Sequence, residues 1–314
     1  MADIDSIEPV WIGKHRHPMS TCSTTISNRF TALLGRLQPS QSEMDRLAKH
    51  IESVTAKISN VEGTIKTLVM GSVSRGSSIS GSDADLLVVL SRDSIRRGDD
   101  YVRLLAVIVR IRRALESRFW SSKVRRDGQA VVIGFADGHH LDVVPSCFGR
   151  PHRNGWPVFQ IPSMGNEWIE TSPSLHNHYI CSADRESGGK LKYVAQLVKH
   201  WRGCRAKSVP FSSFYLEMLL AQSGLCAGVR SYRQCLNDVF QLLVERQCRP
   251  LRDPHSVSRN IPVARTQAQF AECMDAVTRA HVRIRAAMIL ESKEKTEPAL
   301  NQWRVLFQGD FPAT

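Results

Sequence analysis

Two aspartates, Asp83 and Asp85, stand one residue apart in GSDADLLVVL, at the start of an apolar run. Residues two apart on a strand point to the same face, so these two carboxylates project together. Like charges that leave water repel, and such a pair normally shares a cation. Asp142, in HHLDVV, joins them if its strand lies beside Ala84–Leu90. Three hard oxygen donors on rigid strands suit two Mg²⁺ ions, which stand about 3.5–4 Å apart and clamp the attacking and leaving oxygens of an in-line displacement. Upstream, Gly71-Ser72 follows TIKTLVM and opens a loop of small residues, where backbone N–H groups can approach a phosphate chain. No GxxxxGK[ST] and no GxGxxG occurs, which sets aside a P-loop ATPase cradle and a dinucleotide fingerprint. An Asp-x-Asp alone is more often a solvated strand end than a metal seat, so its context decides.

The context is a set of elements able to hold those residues. Helical spacing predicts helices over Cys22–Leu37 and Gln41–Ile58, broken at Pro39-Ser40. Thr64–Met70 reads as a strand, and Ala84–Leu90, apolar on both faces, as a central one. YVRLLAVIVRIRRALESRFW is interrupted by Arg103, Arg110, Arg112 and Arg113, so it reads as an amphipathic helix and not a membrane span. Asp127-Gly128 and Asp137-Gly138 each separate apolar runs and predict hairpin turns. They give a three-stranded meander whose last strand, His140–Val144, carries Asp142 and stops at Pro145. From Gly149 to Pro173 the chain is rich in Pro and Gly and reads as an irregular hinge. Helices are predicted beyond it over Lys190–Arg202, Ser212–Ser223, Tyr232–Gln247 and Gln267–Lys293.

Hydrophobic content of 42% and charged content of 23% are those of a globular protein. The N-terminal MADIDSIEPVWIG is acidic where a signal peptide is basic, and the expected location is cytoplasmic, with no membrane partner. Eight scattered cysteines without a CxxC pair read as reduced thiols. His176, His178, Cys181 and Cys204 are zinc-ligand types, but their spacing matches no strong zinc motif. A net charge of +12 favours polyanionic partners, nucleotides or nucleic acid.

A Gly-Ser pair at a strand end, an Asp-x-Asp about a dozen residues on, and a third Asp on a later strand resemble the signature of the polymerase-beta-like nucleotidyltransferases. RGSSISGSDADLLVVL and LDVVPS resemble the matching segments of the cGAS/DncV-like branch. WIETSP, KLKYVAQLVKHWR, FSSFYLEMLL, RDPHSVSRNI and WRVLFQGDFP are similar to later family motifs, in the same order, from about Arg29 to the C-terminus. WRVLFQGDFP departs from the family in placing Gln308 between Phe307 and Gly309.

This resemblance implies an α+β, bilobed fold: a mixed-sheet palm with helices, a C-terminal helical bundle, and an active site in the cleft. Residues 1–165 would form the palm lobe with the N-terminal helices, and 166–314 the helical nucleotide-binding lobe. It implies that Asp83 and Asp85 bind two Mg²⁺ ions (Mn²⁺ able to substitute), while Asp142 binds the catalytic one and helps deprotonate the attacking hydroxyl. Gly71, Ser72 and Arg75 would hold the triphosphate, Lys199 and Ser213 would contact phosphate across the cleft, and Phe214 would stack on a base. Asp253 or Asn260 would read a base edge. The expected partners are NTPs, purines before pyrimidines, and a separate effector protein that receives the product. The chain is expected to be monomeric and to bind nucleic acid weakly and without specificity at most.

The resulting expectation is a synthase that joins NTPs into a cyclic di- or trinucleotide second messenger for bacterial anti-phage signalling of the CBASS type. A second reading keeps the chemistry and makes linear oligonucleotides or extends RNA. A third is a basic nucleic-acid-binding protein that has kept the fold without the activity.

Overall fold

The computed structural model describes residues 24–97, 100–101, 104–163, 167–205, 209–258 and 260–312. In chain order the elements begin with α1 (Thr24–Leu37), α2 (Gln41–Ile58), β1 (Thr64–Met70), α3 (Gly71–Arg75), β2 (Ala84–Leu90) and α4 (Arg92–Ile95). The short β3 (Arg96–Arg97) and β4 (Asp100–Tyr101) lead to α5 (Leu104–Arg118), β5 (Lys123–Asp127), β6 (Ala130–Gly134), β7 (His140–Pro151), β8 (Pro157–Pro162) and β9 (Trp168–Thr171). Helices then complete the chain: α6 (Pro173–Glu186), α7 (Lys190–Gly203), α8 (Ser213–Ser223), α9 (Tyr232–Glu245), α10 (Gln267–Ser292) and α11 (Thr296–Leu306). None of the described helices is long and apolar enough to cross a membrane.

The main sheet has the order β1-β2-β7-β6-β5, with β8 on β7 and β9 on β8. Among the described residues its one parallel pair is β2 with β7, and that pairing sets Asp85 opposite Asp142. Even-numbered residues of β2 (Ala84, Leu86, Val88, Leu90) share a core with Leu47, Val54 and Ile58 of α2 and Val107, Ile108, Ile111 and Leu115 of α5. The odd-numbered residues Leu87 and Val89 pack with Val144, Phe159 and Ile161 on the opposite face. Period-two side-chain alternation therefore puts Asp85 and Asp142 on the face that the two helices leave uncovered.

The stretch expected to be an irregular hinge is sheet instead. β7 runs through Pro145 to Pro151, and β8 and β9 extend it. Pro145 is tolerated because the β6 pairing ends at Val143 and the β8 pairing starts at Cys147, so no strand on that edge needs its N–H. On the β2 side, Ser146 donates its hydroxyl to the Val88 carbonyl at 3.0 Å.

The helical core also crosses the expected boundary between residues 165 and 166. Ile26, Phe30, Leu33, Leu34 and Leu37 of α1 pack with α7 to α11, not with α2. Phe30 anchors this contact, with Trp303 and Phe311 edge-on to its ring, each 5.0 Å away between centroids. The Pro39-Ser40 break turns the chain from one layer to the other, and the Ser40 hydroxyl caps α2 by accepting the Glu43 N–H.

Candidate active site

One register row crosses five strands: Arg125, Val132, Asp142, Asp85 and Met70 stand side by side from β5 to β1. Directly paired residues share a face, so the Arg125 side chain lies on the same face as the two carboxylates. A second row places Lys123 beside Gly134 and His140, next to the residue that precedes β2, Asp83. His140 Nδ1 lies 3.5 Å from Asp83 Oδ1. Gly134 leaves room for that imidazole, since a Cβ there would sit 3.2 Å from the His140 ring.

Removal from water dominates the electrostatics of the triad. Burial, then the charge of Asp142, pushes the Asp85 carboxyl up to about 7, and Arg75 offsets only part of it. Burial, then the charge of Asp83, pushes Asp142 up to about 6, against the pull of Arg125 and His140. Asp83 is also raised by burial, with His140 and Arg125 opposing. Carboxylates forced together in this way are short of positive charge. Their oxygen-only donor set is the kind that Mg²⁺ or Mn²⁺ takes, so the residues present fit such ions.

The turn after β1 is built against Asp85. Gly71 has φ 73°, and a Cβ there would come within 1.9 Å of Asp85 Oδ2. Only glycine allows both that backbone and that approach. α3 follows at once and ends at Gly76 in the left-handed conformation. Ser72 lies in the first turn of α3, where its carbonyl accepts the Ser77 N–H at 3.0 Å.

Arg75 and Lys199, also expected to hold phosphate, are committed to one buried network. Glu217 of α8, fully buried, accepts from Arg75 Nε, from the Ser77 hydroxyl at 2.9 Å and from Lys199 Nζ. Lys199 also donates to the Ser77 carbonyl at 2.9 Å, and Arg75 donates to Asn177 Oδ1 at 2.7 Å. Gln196 Nε2 donates to the Ser78 carbonyl and its Oε1 accepts from Gln38, while the Ser80 N–H reaches the Leu37 carbonyl. The small-residue loop that sequence alone suggests as a phosphate cradle is thus pinned by α1, α7 and α8 before it delivers Asp83. Arg75 and Lys199 are buried, and here they position the loop through Glu217.

Ser213 opens α8 and accepts from Arg202 Nη2 at 3.1 Å, while Arg202 Nη1 donates to the Phe211 carbonyl. Phe214 is part-buried, its ring 5.2 Å from that of His176. Its neighbour Tyr215 is core, with its hydroxyl donating to the Arg249 carbonyl. Asp253 is closed to a base edge: it is buried and accepts from His176 Nε2 at 3.1 Å and from the N–H groups of His255, Val257 and Ser258. Asn260 is exposed. His176 is occupied by Asp253, and the His178 ring lies 5.3 Å from that of Trp156; among the described residues His176, His178, Cys181 and Cys204 do not gather their donor atoms into one cluster.

Sequence reasoning missed Glu217, His140 and Arg125. The first sits inside FSSFYLEMLL as a lone acid among apolar residues, which is the signal that could have flagged it. The other two become visible only once strand register is known.

Residues 24–182 match the family described as Second Messenger Oligonucleotide or Dinucleotide Synthetase domain. The chain is 26% identical over 271 residues to a cyclic AMP-AMP-AMP synthase of Escherichia coli strain MS 115-1, across 77% of this chain and 81% of that protein. Its fold is similar to that of E. coli MS115-1 CdnC solved with ATP, at TM-score 0.73 and 19% identity over 91% of this chain and 99% of the other. It is also similar to Vibrio cholerae DncV cyclic AMP-GMP synthase in complex with the linear intermediate pppA(3′,5′)pG, at TM-score 0.69 and 12% identity over 91% and 95%.

Proposed function

The chain belongs to the Second Messenger Oligonucleotide or Dinucleotide Synthetase family, nucleotidyltransferases that make cyclic oligonucleotides, and on that premise we propose that it joins NTPs into a cyclic di- or trinucleotide at Asp83, Asp85 and Asp142, for anti-phage signalling of the CBASS type. The observation that carries the site assignment is the pairing of Asp85 with Asp142 in adjacent parallel strands, on the sheet face opposite α2 and α5.

In each transfer a ribose hydroxyl oxygen bonds to the α-phosphorus of an NTP, the bond between that phosphorus and its bridging oxygen to the β-phosphate breaks, and pyrophosphate leaves. Divalent ions held by Asp83, Asp85 and Asp142 would neutralise charge on the attacking and leaving oxygens. Asp142 Oδ takes the proton of the attacking hydroxyl. Gly71 and Ser72 present backbone to the triphosphate beside Asp85, and Phe214 offers a face for a base, a contact worth roughly 1–3 kcal/mol. Glu217 keeps Arg75 and Lys199 fixed, so the loop that ends in Asp83 does not have to reorganise during the reaction. The adenine-containing product in the name of the E. coli relative, and the linear intermediate in the DncV complex, support purine substrates and stepwise synthesis through a linear intermediate.

The test is incubation with all four labelled NTPs and Mg²⁺ or Mn²⁺, then mass spectrometry of phosphatase-resistant products. Cyclic di- or trinucleotides are expected. Linear or RNA-attached products would replace this reading with the polymerising one.

A further inference from the structure

At the end of α7 the fold gathers three donor atoms of different kinds. His200 and Cys204 are four residues apart, so they share one side of the helix terminus. Asp310 arrives from the turn after α11. His200 Nε2 stands 3.3 Å from Asp310 Oδ2 and 3.8 Å from Cys204 Sγ, and all three ligand atoms lie within 4.8 Å of one another.

Charge-assisted N–H···O bonds close to about 2.7–2.9 Å, and the His200–Asp310 contact is longer than that. The N···O and N···S spacings are close to those of two pairs of ligands around one ion. For a tetrahedral zinc with Zn–N and Zn–O near 2.0 Å and Zn–S near 2.3 Å, the N···O edge is ~3.3 Å and the N···S edge ~3.6 Å. The supports are in place as well. The His200 ring stacks on Phe307, with centroids 5.9 Å apart and planes 17° from parallel. Arg205 Nη2 donates to the Leu306 carbonyl at 2.6 Å, which ties the start of the turn to the same helix end. Phe307 and Phe311, on either side of Asp310, are buried.

We propose that His200 Nε2, Cys204 Sγ and an Asp310 oxygen bind a zinc ion, with water in the fourth position. An imidazole, a thiolate and a carboxylate form a donor set suited to Zn²⁺, whereas Mg²⁺ takes oxygens. Binding uses the thiolate, so the Cys204 proton is released to solvent. The ion would staple the C-terminal turn to α7, one residue beyond Lys199. The site lies in the helical layer and shares no residue with Asp83, Asp85 and Asp142.

The experiment uses the full chain, stripped with a chelator and titrated with Co²⁺ in the absence of nucleotide. Cobalt bound by the carboxylate triad gives no thiolate signal. Stoichiometric growth of a near-ultraviolet thiolate-to-cobalt charge-transfer band is expected, with the visible absorption of a four-coordinate ion, and Zn²⁺ should displace both. Cys204→Ser should abolish the charge-transfer band. Asp310→Ala, at an exposed side chain, should weaken cobalt binding about tenfold or more. Joint replacement of Cys22 and Cys181 by serine should leave the spectrum unchanged. A missing charge-transfer band, or one that survives Cys204→Ser or is lost with Cys22 and Cys181, would overturn the proposal.

Discussion

Asp85 holds a proton in the folded, metal-free protein that the unfolded chain has already lost. Its carboxyl moves from 3.8 to about 7, through burial first and the neighbouring Asp142 second. Between those values the native state binds more protons than the unfolded state, so this group lowers stability as pH rises. Asp85→Asn should therefore melt above wild type at pH 8 in chelator, by on the order of 1–3 kcal/mol. The gap should narrow steadily as pH falls from about 7 towards 4, where the folded-state carboxyl is protonated and the unfolded one is about half protonated, and should shrink when Mg²⁺ is added. Melting curves at the two pH values check this, and an equal gap at both would show that Asp85 is not raised. At Lys199, substitution leaves Glu217 buried with one fewer cation. Lys199→Ala should cost about 3–5 kcal/mol in a denaturant melt, and a loss under about 1 kcal/mol would show that Arg75 alone satisfies Glu217. Ser213→Ala leaves Arg202 its bond to the Phe211 carbonyl, so stability should hold while KM for NTP rises more than kcat falls. A fall in kcat with KM unchanged would remove Ser213 from ground-state phosphate binding.

Between residue and molecule, the turn from β1 into α3 is the element the chemistry depends on most. Gly71→Ala would strain a φ of 73° and drive a Cβ into Asp85 Oδ2. Product formation should fall on the order of 100-fold or more, since a misplacement near 1 Å costs that much, with stability lowered by about 1 kcal/mol or more. Activity near wild type would mean that the turn does not set the position of Asp85. The strands that carry the site were legible because their signals are local. The apolar run Ala84–Leu90 and the two Asp-Gly turns fix β2, β6 and the start of β7 without tertiary information. α6 and α11 escaped notice. α6 buries His176 and Asp184 along with Leu175 and Ile180, so its apolar stripe is thin, and its polar members are satisfied by distant partners such as Asp253. The end of β7 was hidden because Pro145 is a stop signal locally and becomes neutral only where its edge has no partner strand.

Across the whole molecule, the Arg75–Glu217–Lys199 network joins the sheet loop to the helical layer, and nothing in the spacing of three residues so far apart announces it. The basic surface proves less continuous than a count of arginines suggests. Arg112 pairs with Glu116 at 3.1 Å and Arg125 with Asp127 at 2.8 Å, while Arg126 donates to the Gly128 carbonyl and Arg110 to that of Ser94. Arg118 lies over the Phe119 ring. Arg103 and the Arg96 and Arg97 side chains lie outside the described residues. Nuclease-treated enzyme should therefore make product without added duplex DNA or RNA, and any duplex binding should fade steeply between about 50 and 200 mM salt. Strong activation by a duplex near physiological salt would instead make the arginine face a sensor.

The most direct measurement compares cyclic product formed by wild-type protein with that formed by Asp85→Asn and Asp142→Asn, each first shown to be folded by its melting curve, at saturating Mg²⁺ and again with Mn²⁺. Loss of product on the order of 1000-fold or more in both variants, with folding intact, is the expected result for a paired-carboxylate transfer site. Product near the wild-type level from either variant would contradict the assignment of the chemistry to this face of the sheet.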